Sequence, residues 1–297
     1  MNQAILDGFE QTSAHLACPL CKQPLALAGT SLRCTSGHCF DLARQGYVNL
    51  LPGAKQQKNY DLASFENRHV ILDGGFYAHV LEGVTSAVVE ALQASAAGDA
   101  DRREEDSHVP VILDAGCGEG YYAQHLTNAV DAQIMATDIS KESIQLAAKN
   151  DPERRVRWLV GDLANLPLRN QSVDIVLDIF SPANYAEFRR VLRPRGVLIK
   201  VVPGSQHLAE LRERAKDQLR SESYSNERIK THLQESGFTV VSQVRTVRTS
   251  PLSPDELEAL IGMTPLLFNA DHAAIDRAGI DHITIDAEII VAVQEHC

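Results

Sequence analysis

The chain has 297 residues, 44% hydrophobic and 23% charged, which is enough apolar material for one large globular core or two smaller ones. Its 28 Lys and Arg against 39 Asp and Glu give a net charge of -11, which argues against broad nonspecific binding to nucleic acid. No apolar run approaches the roughly 18 residues of a membrane span, and MNQAILDGFEQTSAHL has neither the basic start nor the greasy stretch of a secretory signal, so a cytoplasmic location is expected.

Residues 1 to about 15 read as a loose leader. Residues 16 to about 52 then form a short-turn module holding four of the six cysteines. Cys18-Pro-Leu-Cys21 is followed by Cys34-Thr-Ser-Gly-His38, two tight knuckles that can bring soft ligands around one tetrahedral ion. Thiolate and imidazole suit Zn²⁺, so Cys18, Cys21, Cys34 and His38 are the expected ligands, with Cys39 competing for the fourth place. The alternatives are an unmetallated reduced cluster or a Cys18–Cys21 redox pair. A redox motif belongs at a strand-to-helix junction, whereas Pro24 and Gly29 favour turns here. Residues 1–60 carry five Lys or Arg (Lys22, Arg33, Arg44, Lys55, Lys58) against three acids, so this end is the better RNA-facing surface of an acidic chain.

A polar connector, KQQKNYDLASFENRH, leads into a segment where Ile71, Leu72, Val80, Leu81, Val84, Val88 and Val89 keep helical spacing, interrupted at Gly74-Gly75. Residues 94–108, small and then charged, predict a mobile surface loop. From Val109 strand and helix patterns alternate. Strands are expected at VPVILDAG, AQIMATDIS, VRWLVGD, VDIVLDIF, GVLIKVVPG, FTVVSQVRTVRT and AEIIVAVQ, and helices at KESIQLAAKN, YAEFRRVLR and SQHLAELRERAKDQL. Repeated β-α units predict an α/β fold with a parallel, doubly wound sheet. The expected domains are 1–60, a zinc-binding RNA-recognition module; 61–108, a helical connector and loop; and 109–297, the α/β domain.

The first α/β strand runs into Asp114-Ala-Gly116-Cys-Gly118-Glu119-Gly120, where glycines let the backbone turn and approach a ligand closely. The next strand ends at Asp138, placed to accept hydrogen bonds from both ribose hydroxyls of a nucleoside. A dinucleotide loop spaces its glycines G-x-G-x-x-G; this one reads G-x-G-x-G after an acid. It resembles the loop of class I methyltransferases, Rossmann-like proteins whose donor, S-adenosyl-L-methionine, is cationic and carries no phosphate. Asp162 and Leu163 then fall where that class holds the adenine.

With those residues in view, the chain resembles the bacterial 23S ribosomal RNA (guanine-N1)-methyltransferases of the RlmA type. The likeness rests on CPLC…CTSGH, QGYVNLLP at 45–52, ILDGGFY at 71–77, DAGCGEGYY at 114–122, PGSQHL at 203–208 and GMTP at 262–265. It implies an N-terminal zinc-ribbon-like module, cofactor contacts at Tyr77, Gly118, Glu119 and His207, and a 23S rRNA hairpin as substrate. A two-fold pair of chains would offer two zinc modules to one RNA. DIVLDIFSPAN departs from the pattern, since relatives carry a basic residue near Asp178.

Methyl transfer to N-1 of guanine needs alignment and the loss of a proton. Asp178, at the tip of the fourth strand, is the candidate general base, and Phe180 or Tyr185 could stack on the unpaired base. The competing functions are a small-molecule methyltransferase and a zinc-dependent RNA chaperone with an inactive Rossmann domain.

Overall fold

The computed structural model describes residues 2–51, 53, 62–98, 108–219, 226–268 and 270–295. The expected leader is instead a helix, α1 (Gln3–Ser13), capped by the Asn2 side chain, which accepts from the Ala4 amide at 3.0 Å. Ile5, Gly8, Phe9 and Thr12 are its buried stripe; with a glycine and a threonine in that stripe, the apolar period is too thin to show in the sequence.

Three short strands, β1 (Leu25–Ala28), β2 (Ser31–Cys34) and β3 (Cys39–Asp41), form a small antiparallel sheet. The next strand, β4 (Tyr47–Asn49), leaves that sheet and pairs in parallel with β7 (Val156–Val160), Tyr47 opposite Trp158. The boundary expected at residue 60 therefore does not separate two sheets: the module's last strand is the edge strand of the large one. Two helices follow, α2 (Leu62–Asp73) and α3 (Ala78–Gly98), broken at the glycine pair. Part of the polar connector is thus helical, and α3 runs into the expected surface loop as far as residue 98; residues 99–107 of that loop lie outside the described residues.

Among the described residues the large sheet has eight strands, in the order β10-β11-β9-β8-β5-β6-β7-β4. Here β5 is Val111–Ala115, β6 Gln133–Asp138, β8 Val173–Ile179, β9 Leu192–Pro203, β10 Phe238–Pro251 and β11 His282–Gln294. The six strands from β4 to β9 are parallel, as the β-α pattern predicts; β11 enters antiparallel between β9 and β10, which the pattern did not indicate. Strand residues alternate between two cores. Ile112, Ile134, Trp158 and Ile199 pack with Val80, Val84 and Val88 of α3, whereas Val111, Leu113, Met135 and Leu198 pack with Phe9 of α1 and with Leu32 and Phe40 of the zinc module. Burial on both faces is why these strands read as continuous apolar runs.

The remaining helices are α4 (Tyr121–Leu126), α5 (Lys141–Lys149), α6 (Tyr185–Val191), α7 (Ala209–Ala215), α8 (Glu227–Glu235) and α9 (Pro254–Met263). The helix expected over 205–219 starts only at 209, because Leu208 turns into the left-handed region at φ 53°. Ser253 and Glu256 close a capping box at the start of α9. Chain order reverses at β5, with β6 on one side and β8 on the other, and this opens a crevice beyond the strand ends.

Candidate active site and metal centre

The ligand atoms of Cys18, Cys21, Cys34 and His38 lie within 4.8 Å of one another. Nδ1 of His38 is 3.4 Å from the sulfurs of both Cys18 and Cys34, and the sulfurs of Cys21 and Cys34 are 3.6 Å apart. Zinc bonds of about 2.3 Å to sulfur and 2.0 Å to nitrogen put tetrahedral ligands roughly 3.5–3.8 Å apart, so the residues present fit Zn²⁺. Cys39 is exposed in β3 and outside the cluster; His38 takes the fourth place. The Gln23 amide lowers the Cys21 thiol to about 6, favouring the thiolate a metal requires. All four positions are protein ligands, so the site is structural.

The second site is a cavity of about 1190 Å³ beyond the ends of β5, β6, β8 and β9. Gly116, Gly118 and Gly120 have φ of 80°, 54° and 79°. At Gly120 a Cβ would overlap the ring of buried Trp158, so the loop can only pass there without a side chain. Asp138 holds the loop: its Oδ2 accepts from the Gly118 amide at 2.9 Å and its Oδ1 from the Ser140 amide at 2.8 Å. Each oxygen keeps a lone pair, and the carboxylate lines the cavity. Asp162 caps a short turn through the Ala164 amide at 2.8 Å and lines the cavity beside Leu163.

The loop is markedly acidic. Asp114 is buried, its Oδ2 has no partner, and burial followed by the charge of Asp138 pushes its carboxyl up to about 7. Burial also raises Asp138. Glu119 pairs with Arg68 of α2 at 2.9 Å, leaving its Oε1 unpartnered. Stranded carboxylate oxygens of this kind suit a cationic, phosphate-free ligand and would repel a pyrophosphate. The residues fit S-adenosyl-L-methionine.

Facing the loop is an aromatic cluster. Tyr77 meets Phe180 edge-on at 5.8 Å, and Phe180 stacks on His207 at 5.8 Å. Phe180 sits at φ 51°, a strained position for a bulky residue, which aims its ring into the cavity. His207 accepts the Asp286 amide at Nδ1, and burial lowers it to about 4, so the ring is neutral with its proton on Nε2. Tyr185 is not in this cluster; it packs against Phe188, His232 and Phe238 in the other core.

Asp178 does not line the cavity. It is fully buried behind Lys200, whose Nζ donates to its Oδ2 at 2.7 Å and to the Ser181 carbonyl at 3.2 Å. Burial outweighs the lysine and pushes Asp178 up to about 6. Lys200 is the residue of this pair that reaches the cavity wall. Lys200 and Arg68 were missed in sequence, and GMTP was singled out only as a motif, with no role; its Met263–Pro265, with Leu266, line the cavity. The signal for Lys200 was present, as the one charge inside the apolar run GVLIKVV; Arg68 in a polar connector gave none.

Comparison with known proteins agrees with both sites. Residues 16–59 match the family described as RlmA, N-terminal, a zinc ribbon, and residues 112–196 match a methyltransferase domain. A 23S rRNA (guanine(748)-N(1))-methyltransferase from Streptomyces fradiae is 34% identical, covering 93% of this chain and 96% of that protein. Relatives from Bacillus subtilis and Micromonospora griseorubida with the same guanine-N(1) designation are 34% and 32% identical, over 93% and 94% of this chain and 96% of each relative. In the solved complex between the Haloferax volcanii Trm112 methyltransferase activator and a methyltransferase, one chain matches with a TM-score of 0.50 at 15% identity, over 82% of this chain and 99% of that one, a likeness of fold alone. With a zinc ribbon, an acidic glycine loop and full-length relatives in one chain, this protein belongs to the RlmA-type family of 23S rRNA (guanine-N1)-methyltransferases.

Proposed function

We propose that the chain transfers a methyl group from S-adenosyl-L-methionine to the N-1 ring nitrogen of a guanine in a hairpin loop of 23S rRNA. The observation that carries this is a single cavity with two unlike walls: an acidic glycine loop on one side and Tyr77, Phe180 and His207 on the other. When bound, the donor supplies an electrophilic methyl on a sulfonium. Asp114 and Glu119 would hold its cationic end, through the turn formed by Gly116 and Gly118. Asp138 would accept from the ribose hydroxyls, and Asp162 and Leu163 would hold the adenine. Tyr77 and His207, which line the cavity, would flank the methyl-bearing end, and Phe180 would offer a face on which an unstacked base can lie. The pocket thus aligns the reactants, which is most of what an in-line displacement requires.

Zinc on Cys18, Cys21, Cys34 and His38 fixes the module that would receive the RNA. Arg33 and Arg44 are exposed there, whereas Lys22 is tied to Asn165 across the interface with the α/β part; Lys55 and Lys58 lie outside the described residues. Cytoplasmic action and a two-fold pair of chains, one module each, belong to the same proposal. Among the described residues no helix is long and apolar enough to cross a membrane.

The test is incubation of purified protein with methyl-labelled donor and unmodified 23S RNA, followed by primer extension. The expected result is one reverse-transcriptase stop at a hairpin guanine, because a methyl on N-1 blocks Watson–Crick pairing. Turnover of small molecules with no label in RNA would overturn the proposal.

A further inference from the structure

Lys200 holds a charge where the fold offers almost no water. It is 5% exposed, with Asp178 of β8 beside it in register and Ile290 of β11 on its other side. Burying an ion pair in a sheet stabilises it no better than apolar side chains would, and often less. The ammonium has three protons: one goes to Asp178 and one to the Ser181 carbonyl, and among the described residues no group takes the third. Lys200 lines the cavity; Asp178 is wholly covered, and its Oδ1 has no partner. β9 lies two strands from β5, so Lys200 stands about 10 Å across the sheet from the cofactor loop.

We propose that Lys200 is a catalytic residue whose free proton binds O6 of the target guanine, and that Asp178 is the residue that positions it. This rests on the guanine N-1 reading above. N-1 carries a proton at neutral pH, and its electron pair becomes available only when the N–H bond breaks. The proton passes to a water molecule, and the negative charge left behind is shared between N-1 and O6. An ammonium fixed on O6, unscreened by solvent, stabilises that charge as it develops. The N-1 pair then forms the bond to the methyl carbon while the S–C bond breaks and its electrons stay on sulfur. The products are a neutral methylguanine and a neutral thioether, and the positive charge of the sulfonium is balanced by the proton given to water. The same donor discriminates against adenine, which presents an amino group where guanine presents O6.

The test is single-turnover methylation of an unmodified 23S RNA fragment at saturating donor, from about pH 6 to about pH 9. Donor affinity is read separately by calorimetry and RNA affinity by filter binding. Lys200→Met should slow the step about 100-fold near neutrality while both affinities stay within about threefold. Its rate should go on rising with pH after the wild type has levelled off, because ionisation of N-1 is then unaided. Lys200→Arg keeps the charge and the pairing with Asp178, and should recover at least about tenfold over Lys200→Met. Asp178→Asn should slow the step and move the limb of the profile in the same direction. Among the described residues, Asp114 on β5 and Tyr185 on α6 feel the charge of Asp178, and both remain in every variant. A Lys200→Met rate within about threefold of wild type overturns the proposal. So does a profile of unchanged shape accompanied by collapse of donor affinity, the mark of a purely structural pair. A wild type that leaves guanine N-1 unmethylated would instead overturn the reading beneath it.

Discussion

The zinc centre and the methyl-transfer cavity are both polar sites gathered at turns, and they are assembled in opposite ways. The zinc ligands all come from residues 18–38, so two local turns are enough to bring them together. The cavity draws Arg68 from α2, Asp114 from β5, Lys200 from β9 and Leu266 from beyond α9, and exists only when the whole sheet is in place. A local site can be lost with its own segment. A distributed site fails either by a clash at its centre or by loss of the sheet that spaces its walls. Yet the two share a core, since Leu32 and Phe40 of the module pack in the same cluster as Leu113 and Leu198.

Cys34→Ser should have the largest effect. Structural zinc holds roughly 10 kcal/mol of folding free energy in small modules, so metal is expected to leave and 23S RNA methylation to stop. Metal analysis and RNA labelling check those outcomes, and calorimetry with the donor checks whether the cavity survives. Donor affinity within about tenfold of wild type is expected; complete loss would mean that the shared core makes the two sites one cooperative unit. Gly120→Ala should do the reverse, keeping zinc while damaging the cavity. Its φ of 79° and the overlap of a Cβ with Trp158 predict a loss of about 3 kcal/mol in stability and of donor binding, read by thermal melting and calorimetry. A Gly120→Ala protein that binds donor normally would show that the loop does not depend on this close approach.

The same division decides what could be read from the sequence. The zinc ligands were legible, His38 included, because spacing along the chain is also spacing in space. The strands from β5 to β9 were legible because burial on both faces leaves unbroken apolar runs. Nothing in such a run encodes direction, so the antiparallel entry of β11 between β9 and β10 was invisible. α1 escaped because only Ile5 and Phe9 of its buried stripe are large apolar residues, Gly8 and Thr12 completing it. The glycine loop and Asp138 were contiguous enough to find, whereas Arg68 reaches Glu119 across 51 positions, through the packing of α2. Asp178 was placed at the right strand end, but the sequence could not show that Lys200, 22 residues on, stands between it and the cavity.

Asp114→Asn probes how an acidic wall is kept in a buried place, with a smaller expected effect. The folded-state pKa of Asp114 is raised to about 7, so its contribution to stability is complete below the unfolded value and lost as pH rises through 7. At about pH 8 the ligand-free Asp114→Asn protein should therefore melt higher than wild type, by roughly 2 kcal/mol: relief of the buried charge is worth about 4 kcal/mol, and the buried amide that replaces it costs about 2 kcal/mol. Donor binding should weaken about tenfold or more in the variant. Wild-type affinity should itself fall as pH drops below 7, by up to about tenfold per unit, because a protonated carboxyl no longer attracts a cation. A pH-independent wild-type affinity would remove Asp114 from the donor's contacts.

Cys39→Ser should change least, and it tests the local site at its one ambiguous position. Cys39 is adjacent in sequence to His38, but as a residue of β3 it is exposed and lies outside the ligand cluster. Its thiol can join the metal only if the knuckle turns over and gives up the pairing of Cys39 with Arg33 between β2 and β3. One zinc per chain, a melting temperature within about 1 °C of wild type and unchanged RNA methylation are expected, the usual result for an exposed substitution. Lost metal in this variant, with metal retained in His38→Ala, would assign the fourth ligand to the thiol and require the knuckle to close the other way.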